Sequence, residues 1–226
     1  MGNVSATISG VSNAGGIVNT NSGTVTNITQ GTNGIVNLTI TGENASAIAA
    51  ENTETGIISN LDITANINGT SGSAIAGNNA GTITNVNING SAINGANSAL
   101  IAITNSGTVE NVTLGANTLL GDGSAALVIT NNGSITANIT GALGITANNT
   151  GALINANNGN VTVTVGGIIT LTGENVAGLF GTYTTGTVTI TLNANIDLAG
   201  TTVQALALTG GELIDTTTIT GTCLLY

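Results

Sequence analysis

Apolar and polar residues alternate in short runs with a period of two. Val161, Val163 and Val165 are separated by Thr162 and Thr164, and Val188, Ile190 and Leu192 by Thr189 and Thr191. This is the pattern of a strand with one buried face. No stretch shows the 3.6-residue apolar spacing of a capped helix, and glycine recurs too often for one. Strands and turns are therefore expected throughout.

One phrase returns along the chain: a small polar residue, Gly, Thr or a substitute, then an apolar residue. Its glycines are Gly23, Gly56, Gly81, Gly107, Gly133, Gly159 and Gly186, spaced by 33, 25, 26, 26, 26 and 27 residues. Such a fixed period marks a repeat architecture. Two residues after each glycine stand Val25, Ile58, Ile83, Val109, Ile135, Val161 and Val188. Six before it stand Ile17, Ala50, Ile75, Ile101, Leu127, Leu153 and Phe180. Both columns read as core stacks. Two before it stand Asn21, Glu54, Asn79, Asn105, Asn131, Asn157 and Thr184, mostly an asparagine ladder. If each coil lies on the last at the ~4.8 Å strand spacing, like side chains stack. Asn can bond its own type along the axis and tolerates left-handed backbone, so an Asn-Gly corner is expected there.

Further strands are expected through Ser98–Thr104 and Ser124–Thr130, and shorter ones near Ala116–Leu120 and Ile168–Leu171. The fold class that results is all-β. It is a parallel β-helix, or β-solenoid, of about eight coils of ~26 residues with three short strands each, in one domain spanning residues 1–226. Two irregularities stand out. In the early coils Asn27, Asn60, Asn85 and Asn111 interrupt the alternation by one residue and read as bulges. In the late coils Val163 and Ile190 take that place, and straight strands are expected. The long first interval predicts an enlarged coil, with Thr29–Asn44 protruding as a longer turn or added hairpin.

Gly81–Val86 with Ser73–Ile75, and Gly107–Val112 with Ser98–Leu100, resemble the β-helical passenger repeats of bacterial autotransporters and haemagglutinin-type surface proteins. The resemblance is one of repeat style and extends over most of the chain. It implies a right-handed parallel β-helix, secretion and adhesion. It carries no functional-loop motif onto this sequence.

Composition narrows the chemistry. The chain has 34 Gly, 34 Asn and 41 Thr among 226 residues, and no Lys, Arg, His, Pro or Trp. Its ten carboxylates give a net charge of −10. Without Lys or Arg it has no group to hold a phosphate backbone, so no nucleic-acid partner is expected. A solenoid hydrolase needs clustered carboxylates with basic helpers, and a serine nucleophile needs a base. Neither is present, so no catalytic residue, no cofactor and no enzyme activity are expected. No metal site is expected either, since Glu51 and Glu54 are the closest acidic pair and calcium wants several converging oxygens. No run is long and apolar enough for a transmembrane helix.

Three functions follow as expectations. The first is a structural, extracellular or cell-surface solenoid that self-associates end to end into a filament or surface layer. No signal peptide is visible at Met1. Good strands continue towards the apolar end Cys223, Leu224, Leu225 and Tyr226, the candidate assembly end. The absence of Lys and Arg removes every trypsin site, which suits an exposed location. The second is an adhesin touching a glycan or host surface, with Thr29–Asn44 as its contact loop. The third is ice binding through outward Thr pairs at Thr24/Thr26, Thr82/Thr84, Thr162/Thr164 and Thr187/Thr189, with Ser134/Thr136 between them and Glu110 interrupting.

Overall fold

The computed structural model describes residues 4–8, 14–28, 36–199, 201–204, 207–210 and 219–220. Among these there is no helix, and the strands pair in parallel as a β-solenoid of about six turns. About six turns is slightly fewer than the eight coils expected, although one face counts eight strands. Among the residues whose burial is described, the core runs from Val36 to Ile196, with Val18, Val25 and Ile28 packed partly against it.

Each pass has three faces. The long face carries Thr24–Ile28, the first half of Ile57–Ile67, Thr82–Ile88, Thr108–Leu114, Ser134–Ile139, Asn160–Val165 and Val188–Leu192. The narrow face carries Val36–Ile40, the second half of Ile57–Ile67, Ser91–Ile93, Asn117–Leu119, Leu143–Ile145, Ile169–Leu171 and Ile196–Leu198. Both belong to one 15-stranded sheet, because Ile57–Ile67 runs unbroken across their shared corner. The third face is an 8-stranded sheet from Val18–Asn21 to Ala207–Gly210. The late passes add a fourth short strand at the corner before it: Thr150–Gly151, Glu174–Ala177 and Thr201–Gln204.

The alternation fixes what lies inside. Register places Val25, Ile58, Ile83, Val109, Ile135, Val161 and Val188 in one column, as expected from counting forward from each glycine. All are buried except Val25, which is half-buried. The second core column needs two corrections. It contains Ile48 rather than Ala50, and Leu179 rather than Phe180. Phe180 is buried one position further on, opposite Ile154. Ile75, Ile101, Leu127 and Leu153 stand as expected. Ile17 is in register but 54% exposed.

The enlarged coil is also smaller than expected. Val36–Ile40 is not a protrusion but a core strand, paired with Val4–Ile8 and with Ile63–Ile67. Its VNLTI alternation buries Val36, Leu38 and Ile40. Asn44 continues a corner. The insertion therefore shrinks to residues 29–35, which lie outside the described residues, as do Cys223, Leu224, Leu225 and Tyr226.

Candidate functional site

The stacked columns are the only places where this chain concentrates polar chemistry among the described residues. The innermost is the asparagine ladder. Asn21 Nδ2 donates to Asn52 Oδ1 at 2.8 Å, and Asn52 to Asn79 at 2.7 Å. Asn79 donates to Asn105 at 2.7 Å, Asn105 to Asn131 at 2.9 Å, and Asn131 to Asn157 at 2.8 Å. Every donor points to the following coil, so the ladder has a direction. The remaining capacity of each amide is spent on its own corner: Asn157 Nδ2 donates to the Gly159 carbonyl at 3.0 Å, and Asn131 Oδ1 accepts from the Gly133 amide at 3.2 Å. These residues are buried, and buried amides need such partners.

Counting from the glycines places the second rung at Glu54 and the last at Thr184; register moves them to Asn52 and Tyr183. The cause is local. One residue separates ladder and glycine in most coils, but Thr53, Glu54 and Thr55 fill that corner in one and Thr184 and Thr185 in another. Backward counting slips by the number of inserted residues, which also explains Ala50 and Phe180. Tyr183 ends the ladder: its hydroxyl donates to the Gly186 carbonyl instead of continuing the amide chain.

The reason for glycine at this corner differs from the expectation. The ladder asparagines do not adopt left-handed backbone, and of the corner glycines only Gly186 does, with φ +106. The others, Gly23 apart, are needed for close approach. A Cβ on Gly107 would lie 2.1 Å from the Gly81 carbonyl oxygen, and one on Gly133 2.1 Å from that of Gly107. Real Cβ atoms never come so near a backbone oxygen.

Left-handed asparagines do occur, in two exposed or half-exposed columns. One is the interrupting set Asn27, Asn60, Asn85 and Asn111, with φ between 51 and 60. The sequence located it correctly. The other is Asn44, Ser71, Asn97, Gly123, Asn149, Asn175 and Thr202, with φ between 50 and 69. Sequence reasoning missed this corner, although its members recur every 26 or 27 residues. Varied residue types hid the period. Buried serines in two adjacent columns, Ser46 with Ser73 and Ser98 with Ser124, were missed for the same reason. Ser98 Oγ accepts from Gly72 N and donates to Gly69 O, both at 3.0 Å, and Ser46 and Ser73 share a 2.7 Å bond.

The outward columns of the long face also shift from their expected pairing. Thr162 stands beside Thr136 and Thr189, and Thr164 beside Asn138 and Thr191. Thr187 instead stands beside Asn160, whose Oδ1 accepts its amide at 2.9 Å. Thr162/Thr164 and Thr187/Thr189 are therefore offset by one column.

Among the described residues, no three His, Cys, Asp or Glu side chains come together to hold a metal ion. Glu51 is an exposed strand residue in register with Thr20 and Asn78, and Glu54 is an exposed turn residue. No family model, curated protein or solved structure matches this chain.

Proposed function

We propose that the chain is a structural β-solenoid of the cell exterior that self-associates end to end into a filament or surface layer. The observation that supports this most is the uncovered cross-section at the first pass. Ile17 is 54% exposed, while Ile48, Ile75 and Ile101 in its column are at 0%. Val18, Val25 and Ile28 are only partly buried against the core. Val18–Asn21 is also the outermost strand of the 8-stranded sheet, so among the described residues its outer edge has no neighbouring strand. An unpaired edge over an apolar interior is a template for another parallel coil. Electrostatics permits the approach. The chain carries −10, but its first acidic side chain is Glu43, so residues 14–28 of the first pass carry no carboxylate.

The experiment is a concentration series of the purified protein by sedimentation velocity and negative-stain microscopy. Rods that lengthen with concentration, and that shorten in Ile17→Asp, are the expected result. Single short rods at every concentration would overturn the proposal.

A further inference from the structure

We infer that the outward long face of the late coils, Ser134 to Thr191, binds the surface of ice. This function is separate from end-to-end assembly. The array has three columns in register: Ser134, Asn160 and Thr187; Thr136, Thr162 and Thr189; Asn138, Thr164 and Thr191. Strands ~4.8 Å apart with like-facing residues ~6.7 Å apart along each strand make a grid of about 10 by 13 Å. Each threonine puts one hydroxyl and one methyl group on that grid. The hydroxyl both donates and accepts. Its β-branched side chain is stiff at χ1, so little conformational freedom is lost on binding.

Three further observations select the ligand. The hydroxyls are unspent: among the described residues no side-chain hydrogen bond engages Thr136, Thr162, Thr164, Thr189 or Thr191. In the early coils, by contrast, Thr26 accepts from Ser59 at 3.0 Å and Asn87 donates to Asp62 at 2.9 Å. None of the nine array residues is charged; the nearest carboxylate along the column is Glu110, at the edge in the preceding coil. It offers no aromatic ring for a sugar to stack on, because Phe180 and Tyr183 are buried. Phosphate surfaces and stacked glycans are therefore poor partners. A neutral, two-dimensional grid in which six threonines supply hydroxyl and methyl groups, with Ser134, Asn138 and Asn160 as its other polar positions, orders its own hydration water with the same period. A solid with a repeating water lattice can merge with that layer, whereas liquid water has no period to match. The early coils lack the site: Ile57, Glu110 and Asp62 fall in these same three columns there.

The test is an ice-recrystallisation assay on the full chain, with Thr162→Tyr at the centre of the array. Thr130→Tyr, outward on the 8-stranded face, is the control. Wild type and Thr130→Tyr should both halt grain growth, and Thr162→Tyr should need at least about tenfold more protein. Thr189→Tyr reads the same array if Thr162→Tyr does not fold. The inference is overturned if wild type leaves grain growth unchanged, if both array variants match wild type, or if Thr130→Tyr loses as much. Ice activity in single rods would support this inference while removing the filament proposal, and filaments without ice activity would do the reverse.

Discussion

The early and late coils run the same period through two different strand geometries. In the early coils a left-handed Asn splits each long-face strand: Thr84 pairs Glu110 and Val86 pairs Val112, with Asn85 and Asn111 skipped together. In the late coils Ile135 to Ile139 pairs Val161 to Val165 without a break. The change is made at a single seam. Between Val109 and Val112 the register shifts against Ile135 and Ala137, so two residues of one strand face one of the next. Bulges that stack on bulges cost the ladder nothing, because neighbouring coils skip the same position. A bulge against a straight strand leaves one residue unpaired. The consequence is geometric: only the straight half carries outward residues in unbroken register.

The largest effect in this comparison should come from the close-approach glycines. Gly133→Ala puts a Cβ against the Gly107 carbonyl just past the seam, and unfolding should become easier by about 3 kcal/mol. Gly23→Ala, where nothing lies within 4 Å, should be nearly silent in the same urea titration. A similar loss at both positions would show that backbone entropy rather than coil spacing decides.

The next effect should come from the ladder that crosses the seam undisturbed. Asn105→Leu removes the rung bonds on both sides, from Asn79 and to Asn131, leaving only the longer bonds of each to its own corner. Both are buried, so a loss of about 2–3 kcal/mol in thermal or urea unfolding is expected. Hydrogen exchange should accelerate in coils on both sides of the substitution, and protection unchanged beyond its own coil would contradict a continuous ladder.

A smaller effect is expected at the bulge. Asn111→Val forces a β-branched residue into left-handed backbone and should cost about 1–2 kcal/mol, while Asn111→Gly should be close to neutral. Valine at Thr136, in a straight strand, should not destabilise. Equal melting shifts for the two valine variants would remove the distinction between the halves.

The smallest effect concerns the charges. The carboxylates lie beyond residue 42, so copies repel along their acidic length rather than at the first pass. Raising salt to about 0.5 M should tighten association a few-fold by screening. Weaker association at high salt, measured by sedimentation, would count against end-to-end contact through an end without carboxylates.

Much of this was legible because the fold repeats. Period-two alternation identified the buried residues of the long face, and a recurring glycine set the coil length. The interrupting asparagines could be located because they break an otherwise regular pattern. What escaped was anything whose register depends on the length of a corner. Glu54 and Ala50 occupied places that belong to Asn52 and Ile48, because Thr53, Glu54 and Thr55 occupy a corner that one residue fills elsewhere. The column from Asn44 to Thr202 escaped because a left-handed corner accepts Asn, Ser, Gly or Thr, so no single residue type repeats.

The sequence by itself determined that the chain stacks coils and which side chains of the long face are buried. These follow from side-chain polarity and period, which are properties of the chain alone. Only the tertiary structure decided which residue faces which in the next coil. It made glycine a requirement of coil-to-coil approach rather than of φ. It returned Val36–Ile40 to the core and set the threonines of the late coils into one flat array. Hydrogen-bonded register between distant residues fixes all of these, and a corner can gain a residue without changing the pattern of the strands it joins.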